Sequence, residues 1–208
     1  MSREETIKTI VHDEWDMFTR VHNMGGTASC QMDPQTFGIM RSSQFAAWDD
    51  ALLESYAADL VAAKAGGRNL MTEKYARMME STSPMEYADL AASLPPLDAG
   101  IRECVERIVA ANVRWKEELG RKYPHLNDHG RPLRTSEDSL GVASFETYMR
   151  GELQTYSLAT LTLYDAAVQR RLARGESEAE ANVLAQVRQY GFANLEDAEQ
   201  YLAREDKA

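Results

Sequence analysis

The sequence predicts an all-α fold, a single-domain helical bundle over residues 1–208 with one long loop around 123–141. Three observations carry that reading. Apolar residues recur at steps of three and four along nearly the whole chain, the spacing of one helical face. Period-two alternation is scarce, and β-branched residues do not cluster as they do in strands. The interruptions fall at glycines, prolines and short polar residues that start and stop helices. With 208 residues and 44% hydrophobic content, the chain can bury a core without disulfides or a structural metal.

In chain order, Ile7, Val11, Trp15, Phe18 and His22 form the first stripe, closed by a turn at Met24-Gly25-Gly26. A small-residue loop, Thr27 to Met32, leads to Asp33-Pro34, an N-cap followed by proline at the first helical position. The helix it opens carries Phe37, Met40, Phe45 and Trp48, and is read as running past Leu52, Tyr56 and Leu60 to Gly66-Gly67. Short helices follow at Thr72–Met79 and Pro84–Ala92, and Leu94-Pro95-Pro96-Leu97 breaks the chain. Asp98 caps a helix whose inner side holds Ile101, Cys104, Val105, Ile108, Val109, Val113 and Leu119. The Pro-, Gly-, Asn-, Asp- and Ser-rich stretch from Tyr123 to Gly141 is the long loop. Ser144 caps the longest apolar helix, from Phe145 to about Leu172. Ser177 and Glu180 have capping-box spacing, and Leu195–Leu202 makes a last short helix.

Charge and composition exclude several functions. A net charge of −10 argues against nucleic acid, whose phosphates need clustered Lys and Arg. No run approaches the roughly 18 apolar residues of a membrane span, so no membrane is expected as partner. Two cysteines, Cys30 and Cys104, do not make a disulfide framework and suit a reducing cytoplasm. His125 and His129 lie four apart, but Pro124, Gly130 and Pro132 make the segment a loop, where helical ligand spacing loses its meaning. No phosphate loop, dinucleotide fingerprint, hydrolase elbow or paired CxxC occurs, so no metal or cofactor is expected. A homo-oligomer is compatible with the sequence, which does not settle the oligomeric state.

Two stretches hold residues suited to chemistry. Cys30 follows two glycines and precedes the N-cap at Asp33, where a helix N-terminus favours a thiolate. It reads either as a nucleophile or as a small apolar residue under a tight turn, and Gln31 beside it as a ligand contact. Arg41 and Gln44, three apart, share a helical face bordered by Phe37, Met40 and Phe45. Arg41 either snorkels outwards or turns inwards as a two-pronged donor to a carboxylate or phosphate. In the helix from Phe145, Glu152 stands within the apolar stripe Phe145, Met149, Tyr156 and Leu163. Desolvation there would raise its pKa and poise it as a general acid or base, with Tyr148 and Tyr156 one turn to either side. The structural alternative is an internal ion pair; Glu146 and Arg150, four apart, form one such pair by spacing. Glu14, near Trp15 and Phe18, is a second acid on an apolar face.

The stretches from Glu14-Trp15-Asp16-Met17-Phe18 to Trp48 and from Ser144-Phe145-Glu146-Thr147-Tyr148 to Tyr164 resemble a bacterial family of uncharacterised proteins filed as a domain of unknown function. The motifs are Ala28-Ser29-Cys30-Gln31, Thr36-Phe37 to Phe45, and Ser144 to Ser157, and the resemblance covers most of the chain. The family pattern is expected to have Arg where Thr27 stands and Asn where His22 stands, which argues against an essential role for His22 and against a cation-lined loop at Thr27. The resemblance implies which residues matter but no reaction.

These residues lead to an expected small-molecule enzyme, a lyase or hydrolase using acid–base chemistry without a cofactor. Its substrate is a small anionic, amino-acid-like metabolite. Glu152 or Glu14 moves the proton, Tyr148 and Tyr156 assist, and Cys30 lines the pocket or attacks. Arg41, Gln44, Arg150, Gln31 and Glu146 hold the ligand. The alternative is a non-catalytic ligand-sensing or protein-binding module using the same pocket.

Overall fold

In the computed structural model, residues 1–22, 26–127 and 130–205 are described. Among them are eleven α-helices and no β-strand; the only extended pairing is an isolated bridge between Ser139 and Val142. The all-α reading therefore holds. Met24 and Gly25 of the first expected turn, His129 of the loop after Tyr123, and residues 206–208 lie outside the described residues.

The helices are α1 (Arg3–Phe18), α2 (Pro34–Ala46), α3 (Asp50–Ala65), α4 (Leu70–Thr82), α5 (Pro84–Leu90), α6 (Ala99–Lys122), α7 (Pro124–Asn127), α8 (Phe145–Leu153), α9 (Leu158–Arg174), α10 (Glu178–Gln189) and α11 (Leu195–Glu205). Their caps are those the sequence offers. Asp33, Asp98 and Ser144 each accept a backbone N–H of the first turn, and Gly175 closes α9 in the left-handed conformation at φ 66°.

Two long helices of the sequence reading are each two helices. The span from Pro34 to Gly66 breaks at Ala47–Asp49, because the Asp49 side chain caps a new start by accepting from Leu52 N–H at 3.0 Å. The span from Phe145 to Leu172 breaks at Gln154–Ser157, where Ser157 accepts from Thr160 N–H. Ser177 caps α10 as expected, but the Glu180 carboxylate turns to Lys122 at 3.1 Å. The first helix ends at Phe18, one turn earlier than its stripe suggested, and His22 is exposed beyond it.

One cluster of buried apolar residues runs through the bundle, from Ile10 and Met17 on α1 to Leu195 and Ala198 on α11. Around it α1 packs on α2, α3 and α4, while α6 packs on α8, α9 and α10. The pairing of α4 with α8 is unusually close. A methyl group on Gly151 would stand 2.9 Å from Met78 Cγ and 3.0 Å from the backbone oxygen of Lys74. Only glycine lets the two backbones approach this far, and that approach brings Lys74 against Glu152.

Candidate functional site: a closed network of buried charges

Four charged side chains meet inside the bundle. Glu14 is 0% exposed, Lys74 1%, and Arg41 and Glu152 5% each. Each lies on an otherwise apolar face: Glu14 is four residues after Ile10 and three before Met17, and Lys74 stands midway between Met71 and Met78. Helical packing therefore carries their charges inward with the core.

Arg41 is the hub. Its Nε donates to Glu14 Oε2 at 2.7 Å, and its Nη1 donates to Gln44 Oε1 at 2.7 Å and to Glu152 Oε2 at 3.2 Å. Its Nη2 donates to Glu14 Oε1 and, at 3.0 Å, to Glu152 Oε1. All five guanidinium N–H groups thus find acceptors, and the planar fork serves two carboxylates at once. Lys74 Nζ donates to Glu152 Oε2 at 2.5 Å. Tyr56 donates to Glu14 Oε1 at 2.7 Å, Tyr156 to Glu152 Oε1 at 2.8 Å, and Gln44 Nε2 to the same oxygen at 3.1 Å. Two carboxylates face two cations, so the formal charge of the group is zero.

The electrostatics invert one expectation. Burial alone raises Glu152, as the sequence suggested, but Arg41 and Lys74 outweigh it and hold the carboxyl well below the usual carboxylate range. Glu152 is therefore an anion at every ordinary pH while these cations remain beside it. Lys74, penalised by burial but paired with Glu152, is held above the usual lysine value. Burial, reinforced by the neighbouring carboxylates, pushes Tyr56 and Tyr156 far up, so both stay hydroxyl donors.

From the solvent side, half-buried Gln44 and Tyr148 cover the group. Tyr148 lies over Lys74, with Nζ 3.5 Å from the ring centroid, and Arg131 sits 4.7 Å from the centroid of the same ring. Beside it Tyr75 is pushed up to about 12 by burial and by Tyr148.

Of the residues singled out in the sequence, Glu14, Arg41, Gln44, Glu152 and Tyr156 come together, with Tyr148 at the edge. Arg150 and Glu146 do not join them. Arg150 pairs with Glu106 and Glu146 near the surface, and Glu146 also accepts from Thr135 N–H at 3.0 Å, tying the 135–137 turn to α8. Cys30 is exposed in a 3-10 turn, Ser29–Met32, and the start of α2 is occupied by the Asp33 carboxylate. Gln31 is buried in the frame of its own loop, donating to Phe18 O at 2.8 Å and Val21 O at 2.9 Å.

Sequence reasoning missed Lys74 and Tyr56. Their signal was available, since Lys74 interrupts the Met71–Met78 stripe as Glu152 interrupts its own. It also missed Glu178, 1% exposed, which accepts from Tyr164 at 2.6 Å and from Trp48 Nε1 at 3.2 Å. Burial pushes this carboxyl up. The rings of Trp48, Tyr56 and Tyr156 pack together beside the ion network, with Tyr56 and Tyr156 centroids 4.5 Å apart. Among the described residues no group of three His, Cys, Asp or Glu could hold a metal, and no helix is long and apolar enough to cross a membrane.

Fold and site together define a class: an all-α domain built around a closed, charge-neutral network of two acids and two bases. Residues 4–200 match the model of a family described as a protein of unknown function, DUF4125, and the chain belongs to that family. No curated protein and no solved structure matches it.

Proposed function

We propose that this protein is a small-molecule enzyme of the lyase or hydrolase type, performing acid–base chemistry on a small anionic metabolite. The observation that carries the reading is that two carboxylates share Arg41 in a buried group of zero net charge. A ligand carboxylate that replaces Glu152 on Arg41 and Lys74 brings a fifth charge into a medium where an uncompensated charge is costly. A proton taken up by Glu152 restores neutrality. Ligand entry then converts Glu152 from a fixed anion into a protonated acid beside the bound anion, as general acid catalysis requires. Tyr56 and Tyr156 hold the carboxylates by donating, and a ligand enters by displacing the half-buried Gln44 and Tyr148 that cover the group. The two free cysteines suit work in the reducing cytoplasm.

The second reading is a non-catalytic ligand sensor using the same groups, favoured by the complete internal pairing of Arg41. The two separate in a screen of small carboxylic acids by thermal shift, followed by calorimetry in buffers of different ionisation enthalpy and by mass spectrometry of the products. Uptake of about one proton per ligand, with conversion lost in Glu152→Gln, is the enzyme's signature. Binding with proton uptake but no conversion marks the sensor. Binding with no proton uptake refutes the acid–base scheme.

A further inference from the structure

Arg77, on α4, stands apart from the other buried cations. It is 7% exposed, its Nη2 donates to Pro95 O at 2.7 Å, and its buried Nε has no hydrogen-bond partner. No ion pair among the described residues includes it. Arg68, which precedes α4 and lines the same cleft, holds Glu73 by two bonds of 2.8 and 2.6 Å. Burial pulls the Arg77 guanidinium below its usual value, with Glu73 and Tyr87 opposing. A buried guanidinium N–H left without an acceptor is costly, and such groups are rare in folded proteins.

Two neighbouring clefts, of about 240 and 210 Å³, open on the surface, and Arg77 and Gln154 line both. The Gln154 amide makes no hydrogen bond among the described residues. In the larger cleft Pro95, Leu97 and Ile101 provide an apolar wall; in the smaller, Ser81, Thr147 and Arg150 provide a polar one. Acids are present too: Asp59 lines the first cleft, engaged by Ser157 N–H at 2.9 Å, and Glu80 lines the second.

We propose that Arg77 and Gln154 form an oxyanion-binding site, in which an edge of the Arg77 guanidinium, turned toward the cleft, takes the carboxylate or phosphate of a small aliphatic ligand whose apolar part lies over Pro95 and Ile101. The edge presents parallel N–H donors at the spacing of two oxyanion oxygens. Gln154 donates its amide to the same head or to a neighbouring polar group. The site does not depend on the acid–base scheme. Among the described residues Arg77 makes no hydrogen bond or ion pair with the buried network, although Tyr156, which donates to Glu152, also lines the larger cleft.

Thermal denaturation of the full chain in butyrate, orthophosphate or chloride at equal ionic strength tests the proposal, with affinities from calorimetry. Butyrate, orthophosphate or both raise Tm above the chloride value; butyrate alone identifies a carboxylate site and orthophosphate alone a phosphate site. Arg77→Met abolishes the shift, Arg77→Lys and Gln154→Leu weaken binding roughly tenfold or more, and Arg114→Met, at an exposed pair with Glu118, leaves it intact. If Arg77→Met fails to fold by circular dichroism, Gln154→Leu and Arg77→Lys decide. Neither anion exceeding chloride, or full binding retained in the Arg77 and Gln154 variants, overturns the proposal.

Discussion

Replacing Lys74 by methionine keeps the length of the side chain and removes one of the two cations that hold Glu152. Glu14, Arg41 and Glu152 then carry a net negative charge at positions no more than 5% exposed. Removing one partner from a buried ion pair costs about 3–5 kcal/mol, a large part of the 5–15 kcal/mol that holds a typical domain together. For a chain of this size each kcal/mol moves Tm by about 2–4 °C, so a fall of roughly 10 °C is expected. Adding Glu152→Gln returns the group to the neutral Glu14–Arg41 pair, and the double variant regains about 2 kcal/mol over the sum of the singles. The pH dependence has a definite sign. Glu152 titrates in the fold well below its usual 4.5, so its contribution is present above that value and lost as pH falls towards the folded pKa. Without Lys74 the folded pKa rises, so the gap between Lys74→Met and the parent narrows as pH falls to about 4. Urea unfolding followed by tryptophan fluorescence at pH 7 and 4 gives all four corners of the cycle. A cost for Lys74→Met below about 1 kcal/mol, or strictly additive effects, would refute the account of the network as one electrostatic unit.

Glu178 behaves in the opposite sense: its folded pKa is raised, so the penalty of its charge sets in as pH climbs through that value. Glu178→Gln, which keeps an acceptor for Trp48 and Tyr164, is expected to gain about 1 kcal/mol at pH 7 and little at pH 4, read by calorimetric Tm. Gly151→Ala sets the methyl against the Lys74 backbone oxygen, forcing α4 and α8 apart. Overpacking of about 2 kcal/mol outweighs the roughly 1 kcal/mol helix gain of alanine, so denaturant midpoints fall. Iodoacetamide adds one label to the native chain, at exposed Cys30, and a second at buried Cys104 only in urea, which intact mass distinguishes.

The helical class was legible because the amphipathic stripes have period 3.6 and most of the longer helices start at a cap residue such as Asp33, Asp98 or Ser144. Helix ends were less so. Asp49 and Ser157 each start a new helix within a continuous apolar pattern, and the hydrophobic period does not register a change of direction. At the site, a charge inside an apolar stripe found Glu14, Arg41 and Glu152, but the same sign was passed over at Lys74 between Met71 and Met78. The pKa of Glu152 could not be read from its own helix, because the cations that set it come from residues 41 and 74. Arg150 misled for the reciprocal reason: the break after α8 and the surface acids Glu106 and Glu146 draw it away from the interior.

The four charges are unevenly placed along the chain. Glu14, Arg41 and Lys74 leave the ribosome early, one acid with two bases, and the balancing acid arrives only at residue 152. Until then the first four helices cannot close around their charges without stranding a cation. The neutral network is therefore complete only in a chain that extends through α8, and no N-terminal piece ending before residue 152 holds its full set of charges.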